Sequence, residues 1–237
     1  MDLGINGKVA LVTASSKGLG FASAYALAEE GCKVVICSRN QEELDAAAAR
    51  IPGEVLAVPI DVTRPDAPRT LVDTTVERFG GLDILVGNAG GPPPGRAMDV
   101  TDESLTAALN ANLLTSVRLV QAAAPHMQSR GWGRICLITS YSVKQPIPVL
   151  ALSNTARTGL WAWAKTAAAD LIGDGITVNL AAPGPHATDR MKQLGGSGPM
   201  GDPADFGKVV AFLCSEPAGF VSGVAVNVDG AAVLGLL

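Results

Sequence analysis

Apolar residues in this chain gather in short runs spaced along its length. Residues 9–12 form one, and similar runs recur at 33–37, 55–60, 82–87, 134–139, 176–181 and 224–228. Each is too short for a helix and none alternates strictly, so each reads as a strand buried on both faces. Between them the apolar positions switch to helical spacing. Residues 21–30 form such a segment and stop at Gly31; others are 41–50, 66–79, 101–130, 152–172 and 204–214. Pro65 starts the third of these and Gly80-Gly81 stops it, while Thr101 and Asp102 are available as N-caps for the fourth. Seven short strands separated by helices predict a Rossmann-like, doubly wound, seven-stranded parallel α/β sheet with helices on both faces. No repeat or low-complexity linker divides the chain, so residues 1–237 read as a single domain.

Composition narrows the classes of function. Hydrophobic residues make up 48% and charged residues 17%, enough for a sizeable core. The net charge of −4, without a basic block, argues against nucleic acid as a partner. Cys32, Cys37, Cys136 and Cys214 are scattered with no CxxC pair, the pattern of buried reduced thiols in a cytoplasmic protein. No signal peptide fits the N-terminus and no apolar run has membrane-spanning length, so no membrane is expected. Residues 231–237 are apolar but short and are expected to pack on a neighbouring subunit.

The chemistry gathers at strand ends. After the first strand comes Thr13-Ala14-Ser15-Ser16-Lys17-Gly18-Leu19-Gly20, then a helix. Free N–H groups and the positive helix end make this an anion site, which Gly18 and Gly20 let a diphosphate approach and Lys17 reinforces. In a doubly wound sheet the ligand lies beyond the carboxyl ends of the strands. The other ends carry Ser38-Arg39, Asp61-Val62, Asn88-Ala89-Gly90, Ser140-Tyr141 and Pro183-Gly184. An acid after the second strand would accept from a ribose 2′-OH; Arg39 instead suits a 2′-phosphate, with Lys17 in reach. NADP(H) is therefore expected over NAD(H). Two histidines far apart and no carboxylate cluster give no metal site, and Ser140 has no motif-placed His for a nucleophilic triad.

With these motifs the chain resembles a short-chain dehydrogenase/reductase, most like the 3-oxoacyl-(acyl carrier protein) reductase branch. The loop of residues 13–20 is similar to that family's TGxxxGxG loop, with Ala14 in place of the first Gly. Asp61-Val62 resembles its adenine-contacting pair and Asn88-Ala89-Gly90 its NAG motif. Pro183-Gly184, His186 and Thr188 fall in its nicotinamide-holding PG…T segment, and residues 227–230 resemble its closing strand. The resemblance implies cofactor-binding roles for Thr13, Ser15, Ser16, Lys17, Gly18, Leu19, Gly20, Ser38, Arg39, Asp61, Val62, Asn88, Ala89, Gly90, Pro183, Gly184, His186 and Thr188. It implies catalytic roles for Asn112 and Ser140, and for whatever occupies the family's Tyr and Lys positions.

Those two positions hold Ser153 and Arg157. Their spacing of four puts both on one helix face. A serine hydroxyl is a far weaker acid than a phenol, and an arginine does not relay protons at working pH. Tyr141 and His186 are the candidate substitute donors; His186 is expected more as a loop residue in solvent, and Tyr141 reaches the crevice only if the chain turns after the strand. Asn154 and Thr155 are candidate ligand hydrogen-bonders, and His126 a surface or packing residue. The segment 189–203 is short and Gly-rich, expected to be mobile and to leave the substrate site open, with Pro92-Pro93-Pro94-Gly95 as a stiff wall opposite. Trp161, Trp163 and the alanines around them are expected in a homo-oligomeric interface, a dimer or tetramer as in the family. Three functions fit: an NADP(H)-dependent oxidoreductase with an atypical active site, a catalytically silent NADP(H)-binding sensor or assembly protein, or a non-redox enzyme on the same scaffold. Halohydrin dehalogenases, relatives of the family, share an Arg at the Lys position but have lost the glycine loop.

Overall fold

In a computed structural model that describes residues 1–195 and 198–236, the apolar runs become seven parallel strands: β1 (Val9–Val12), β2 (Lys33–Ser38), β3 (Val55–Pro59), β4 (Ile84–Gly87), β5 (Gly133–Ile138), β6 (Ile176–Pro183) and β7 (Ala225–Val228). They pair in the order β3-β2-β1-β4-β5-β6-β7. The order reverses between β1 and β4, which pair at Ala10 with Ile84 and Val12 with Val86. That reversal opens a crevice above the sheet at the carboxyl ends.

The pleat explains why the runs are continuously apolar. Alternate residues of one strand serve two separate cores, Leu11 one and Ala10 and Val12 the other. Helices α1 (Gly18–Glu29), α2 (Gln41–Ala48) and α8 (Pro203–Leu213) cover one face with Leu27, Leu44 and Phe206. On the opposite face Leu71, Leu119 and Leu160 come from α3 (Ala67–Phe79), α5 (Thr115–Gln128) and α6 (Ala151–Leu171). All four cysteines are free and buried.

Two elements depart from the sequence pattern. The helix expected over 101–130 is α4 (Asp102–Leu109), a π turn (Asn110–Leu114) and α5. Thr101 caps α4 with its hydroxyl accepting from the Ser104 amide at 3.2 Å. Periodicity does not register a single wider turn, because the apolar face resumes after it. The segment after β6 is not all loop: α7 (Asp189–Gln193) forms there, with the Thr188 hydroxyl accepting from the Met191 amide at 3.3 Å. A parallel bridge between His186 and Gly201 closes its base. Residues 196 and 197 of this segment, and 237 of the apolar terminus, lie outside the described residues. Among the described residues no helix is long and apolar enough to cross a membrane.

Candidate functional site

The crevice begins at the loop between β1 and α1. Thr13 is wholly buried, donating through Oγ1 to the Asn88 carbonyl at 2.7 Å and accepting from the Asn88 amide at 2.8 Å. Asn88 Nδ2 donates to the Ala14 carbonyl at 3.0 Å. One threonine and one asparagine thus fasten the ends of β1 and β4 together where the order reverses. Ser15 ties the loop to β2: its Oγ donates to Val12 O at 2.7 Å and accepts from the Cys37 amide at 3.1 Å.

The loop is too tight for a side chain at Gly20, where a Cβ would stand 2.5 Å from the Ala14 carbonyl oxygen. Gly18 has φ +63°. Ala14, standing where the resembling family has glycine, also sits at positive φ, +47°, a strain of about 1–2 kcal/mol for a residue with a Cβ. Lys17 occupies the N-cap position of α1 without a side-chain cap bond, and no acid lies in the first turn. The leading amides of α1 are left for an anion, at the positive end of the helix dipole. The Thr188 methyl would lie 3.9 Å from a Cβ on Gly18, so the segment after β6 meets this loop. These features fit a dinucleotide diphosphate.

Arg39 is exposed one residue beyond β2. Ser38 Oγ donates to the Asn40 carbonyl at 3.1 Å. Lys17 is not free, since its ammonium lies 3.0 Å from Glu43 Oε1 on α2. Asp61 accepts from the amide and hydroxyl of Thr63 at 3.0 and 2.7 Å, and these bonds hold its carboxyl below the usual carboxylate range. Val62 is buried beside it. Ala89 is half-buried and Gly90 exposed at the end of β4, and Gly184 after Pro183 donates its amide to Val228 O at 2.9 Å.

The catalytic candidates lie beyond β5. Ser140 Oγ accepts from the Ser142 amide at 3.2 Å, which leaves its own proton to donate. Ser153 and Arg157 share a face of α6, as their spacing requires, and Arg157 Nε donates to Ser153 Oγ at 3.2 Å. The guanidinium is buried, and Nη1 donates to the carbonyls of Ile138 and Thr139 at 3.0 and 3.1 Å. Burial pulls its pKa down to about 10, with the charge of Arg190 adding to the effect. Arg157 is thus lashed to the end of β5, and among the described residues its Nη2 has no hydrogen-bond acceptor. Asn112, inside the π turn, is 3% exposed, yet among the described residues neither its Oδ1 nor its Nδ2 has a partner. A buried amide left this way asks for a water or a ligand atom. The same turn is tied back by Asn110, which donates to Thr63 O at 3.0 Å and accepts from Arg118 at 2.8 Å.

The expectations for His186, Asn154 and Thr155 need correction. His186 does not stand in solvent; it is 5% exposed, its Nδ1 is 3.0 Å from the Gly184 carbonyl, and its ring meets the edge of Phe206 at 5.2 Å. The bridge to Gly201 draws it inward, a contact that sequence spacing does not reveal. It serves as packing under the Pro183-Gly184 turn rather than as a free proton donor. Asn154 is engaged at both ends with Ile147, donating to its carbonyl at 3.0 Å and accepting from its amide at 3.4 Å, so it pins the loop before α6. Thr155 donates back to Ala151 O at 2.9 Å. Tyr141 is half-buried and heads a 3-10 turn (Tyr141–Val143), so the chain does turn at the end of β5. Trp161 and Trp163 are both partly buried against their own chain's core.

Two residues were not legible in the sequence. Arg190 reaches from α7 across the crevice and donates to the Pro92 carbonyl at 2.7 Å, beside Gly91. It therefore straps the segment after β6 to the proline wall. Glu43 faces the glycine loop from α2, and only its place three residues after the Asn40 cap hinted at a fixed orientation. The wall is pinned again where Gly95 N donates to Val149 O at 2.7 Å. Val149 is half exposed at φ +58°, an uncommon conformation for a β-branched residue.

Comparison with known proteins places this geometry. A family model described as enoyl-(acyl carrier protein) reductase matches residues 13–231. The human protein named dehydrogenase/reductase SDR family member 4 is 37% identical over 240 residues, spanning 94% of this chain and 86% of its own. Tropinone reductase-like 3 from Erythroxylum coca is 35% identical, spanning 94% of this chain and 92% of its own. Among solved structures, L-sorbose reductase from Gluconobacter frateurii, complexed with NADPH and L-sorbose, superposes with a TM-score of 0.90 at 33% identity, covering 97% of this chain and 98% of that one.

Proposed function

The chain belongs to the short-chain dehydrogenase/reductase family, and from that premise we propose that it is an NADP(H)-dependent oxidoreductase acting on a carbonyl or its alcohol through an atypical active site. The observation that carries the nucleotide is the uncapped start of α1 at the reversal between β1 and β4, with Gly18 and Gly20 beneath it. Arg39 beyond β2, where an acid would favour a ribose hydroxyl, supports the 2′-phosphate. The NADPH complex of the similar sorbose reductase supports the same cofactor.

In this reading Gly18, Leu19 and Gly20 hold the diphosphate, Ser16 and Lys17 face the 2′-phosphate together with Arg39, Asp61 and Val62 hold the adenine, and Asn88, Ala89, Gly90, Gly184 and Thr188 the nicotinamide half. When bound, the nicotinamide supplies or accepts the hydride. Ser140 donates to the substrate oxygen while the Ser142 amide holds its Oγ in place. Arg157 keeps a fixed positive charge at the end of β5, bonded to Ser153 and to the carbonyls just before Ser140, and cannot itself deliver a proton at neutral pH, so proton delivery passes to solvent held at Asn112 or to Tyr141. Turnover is therefore slow relative to a Tyr-Lys site. The alternative of a silent NADP(H)-binding protein draws on one feature, the Arg157 guanidinium spent on backbone carbonyls. Two or four copies assembled through α5 and α6 complete the reading.

The test is NADPH titration followed by turnover on a carbonyl panel that includes 3-oxoacyl thioesters, in the unsubstituted chain and in the Ser153→Tyr, Arg157→Lys variant. NADPH binding with slow turnover, raised about 10²-fold or more in the variant, is expected. Binding with no turnover in either chain would favour the silent reading, and no NADPH binding would end both.

A further inference from the structure

The end of the crevice assigned to the 2′-phosphate contains a carboxylate. Glu43 is the third residue of α2, and the Asn40 side chain fixes its backbone by accepting from its amide at 2.9 Å. Its Oε1 lies 3.0 Å from Lys17 Nζ, and its Oε2 accepts from Ser16 Oγ at 3.3 Å. Ser16 and Lys17 are the loop residues ahead of Gly18, and Asn40 directly follows Arg39. The carboxylate therefore sits between the glycine loop and the end of β2, already holding donors that a 2′-phosphate would use.

Carboxylate and phosphate are both acceptors and both anionic. They cannot bond each other, and they compete for Ser16 and Lys17. A ribose 2′-hydroxyl has a proton to give and suffers no such conflict. We propose that Glu43 is a selectivity residue, a built-in competitor that lowers the preference for the 2′-phosphorylated nucleotide which Arg39 and Lys17 create. The proposal rests on the nucleotide reading above. The ion pair is exposed, with side chains 63% and 45% accessible for Lys17 and Glu43, so phosphate can displace it and the effect is graded rather than absolute.

Glu43→Gln tests this. Glutamine keeps an acceptor for Ser16, loses the charge and offers N–H to phosphate. Dissociation constants for NADP+ and NAD+ are measured by titration calorimetry on both chains, with thermal melts as a check on folding. The variant should bind NADP+ about 3- to 10-fold tighter, with NAD+ unchanged or weaker, and the gain should shrink between about 50 and 500 mM salt. An NADP+ to NAD+ ratio that stays within about twofold, or both affinities moving together, overturns the role of Glu43 while leaving the nucleotide site standing. If the unsubstituted chain binds neither nucleotide, the nucleotide site falls, and this role with it.

Discussion

Gly20→Ala tests how the glycine loop is packed. The added methyl would stand 2.5 Å from the Ala14 carbonyl oxygen and 2.7 Å from Asn88 Nδ2. Both contacts are closer than real Cβ atoms tolerate, and neither neighbour is the free end of a flexible chain. Ala14 O and Asn88 Nδ2 are bonded to each other at 3.0 Å, and Asn88 is held in turn by Thr13. Accommodating the methyl means parting that bond. Overpacking of this kind costs about 1–3 kcal/mol and the loss of one partly buried hydrogen bond about 1 kcal/mol, so the expected total is about 2–4 kcal/mol. For a chain of this size that lowers Tm by roughly 4–16 °C. The shift also moves the leading amides of α1, so NADPH affinity should fall by about tenfold or more. Gly18→Ala is the control. It meets open space out to 3.9 Å and carries only the φ penalty of about 1–2 kcal/mol. Denaturant unfolding and NADPH fluorescence titration on the two variants decide the matter. If Gly20→Ala melts and binds like the unsubstituted chain, or if Gly18→Ala is the more destabilised of the two in denaturant, the close approach at Gly20 does not govern how this loop packs.

Thr13→Val keeps the shape but leaves the Asn88 amide and carbonyl without their buried partner; chemical denaturation should show a loss of about 2–4 kcal/mol. Stability should also fall at alkaline pH. Burial lifts the Cys32 and Cys37 thiols from 9.0 to about 12, so above pH 9 the unfolded chain gives up protons that the folded chain keeps. The stabilisation from each is whole below pH 9 and drains away up to about pH 12, at no more than about 1.4 kcal/mol per pH unit for each thiol. Arg157 works in the opposite sense, since its folded pKa of about 10 lies below the unfolded value and its burial cost is relieved only above pH 10. Net stability from urea melts should therefore drop first between pH 9 and 10, and Cys37→Ala should flatten that slope.

The sequence alone determined the sheet and the glycine loop, because both rest on local rules. A strand buried on both faces is apolar at every position, a helix buried on one face repeats near every third or fourth residue, and a loop against an anion needs glycine where a Cβ has no room. Those constraints are written residue by residue, which is why Val9–Val12, Gly18, Gly20 and the Ser153–Arg157 spacing could be read directly. The tertiary structure alone decided which partner each polar group took. That Arg157 spends its guanidinium on β5 carbonyls, that His186 turns in against Phe206, that Arg190 spans to Pro92 and that Glu43 claims Lys17 all depend on contacts between segments far apart in the chain. Such contacts leave no periodic trace, since a single hydrogen bond fixes direction and distance in space without constraining the neighbours in sequence.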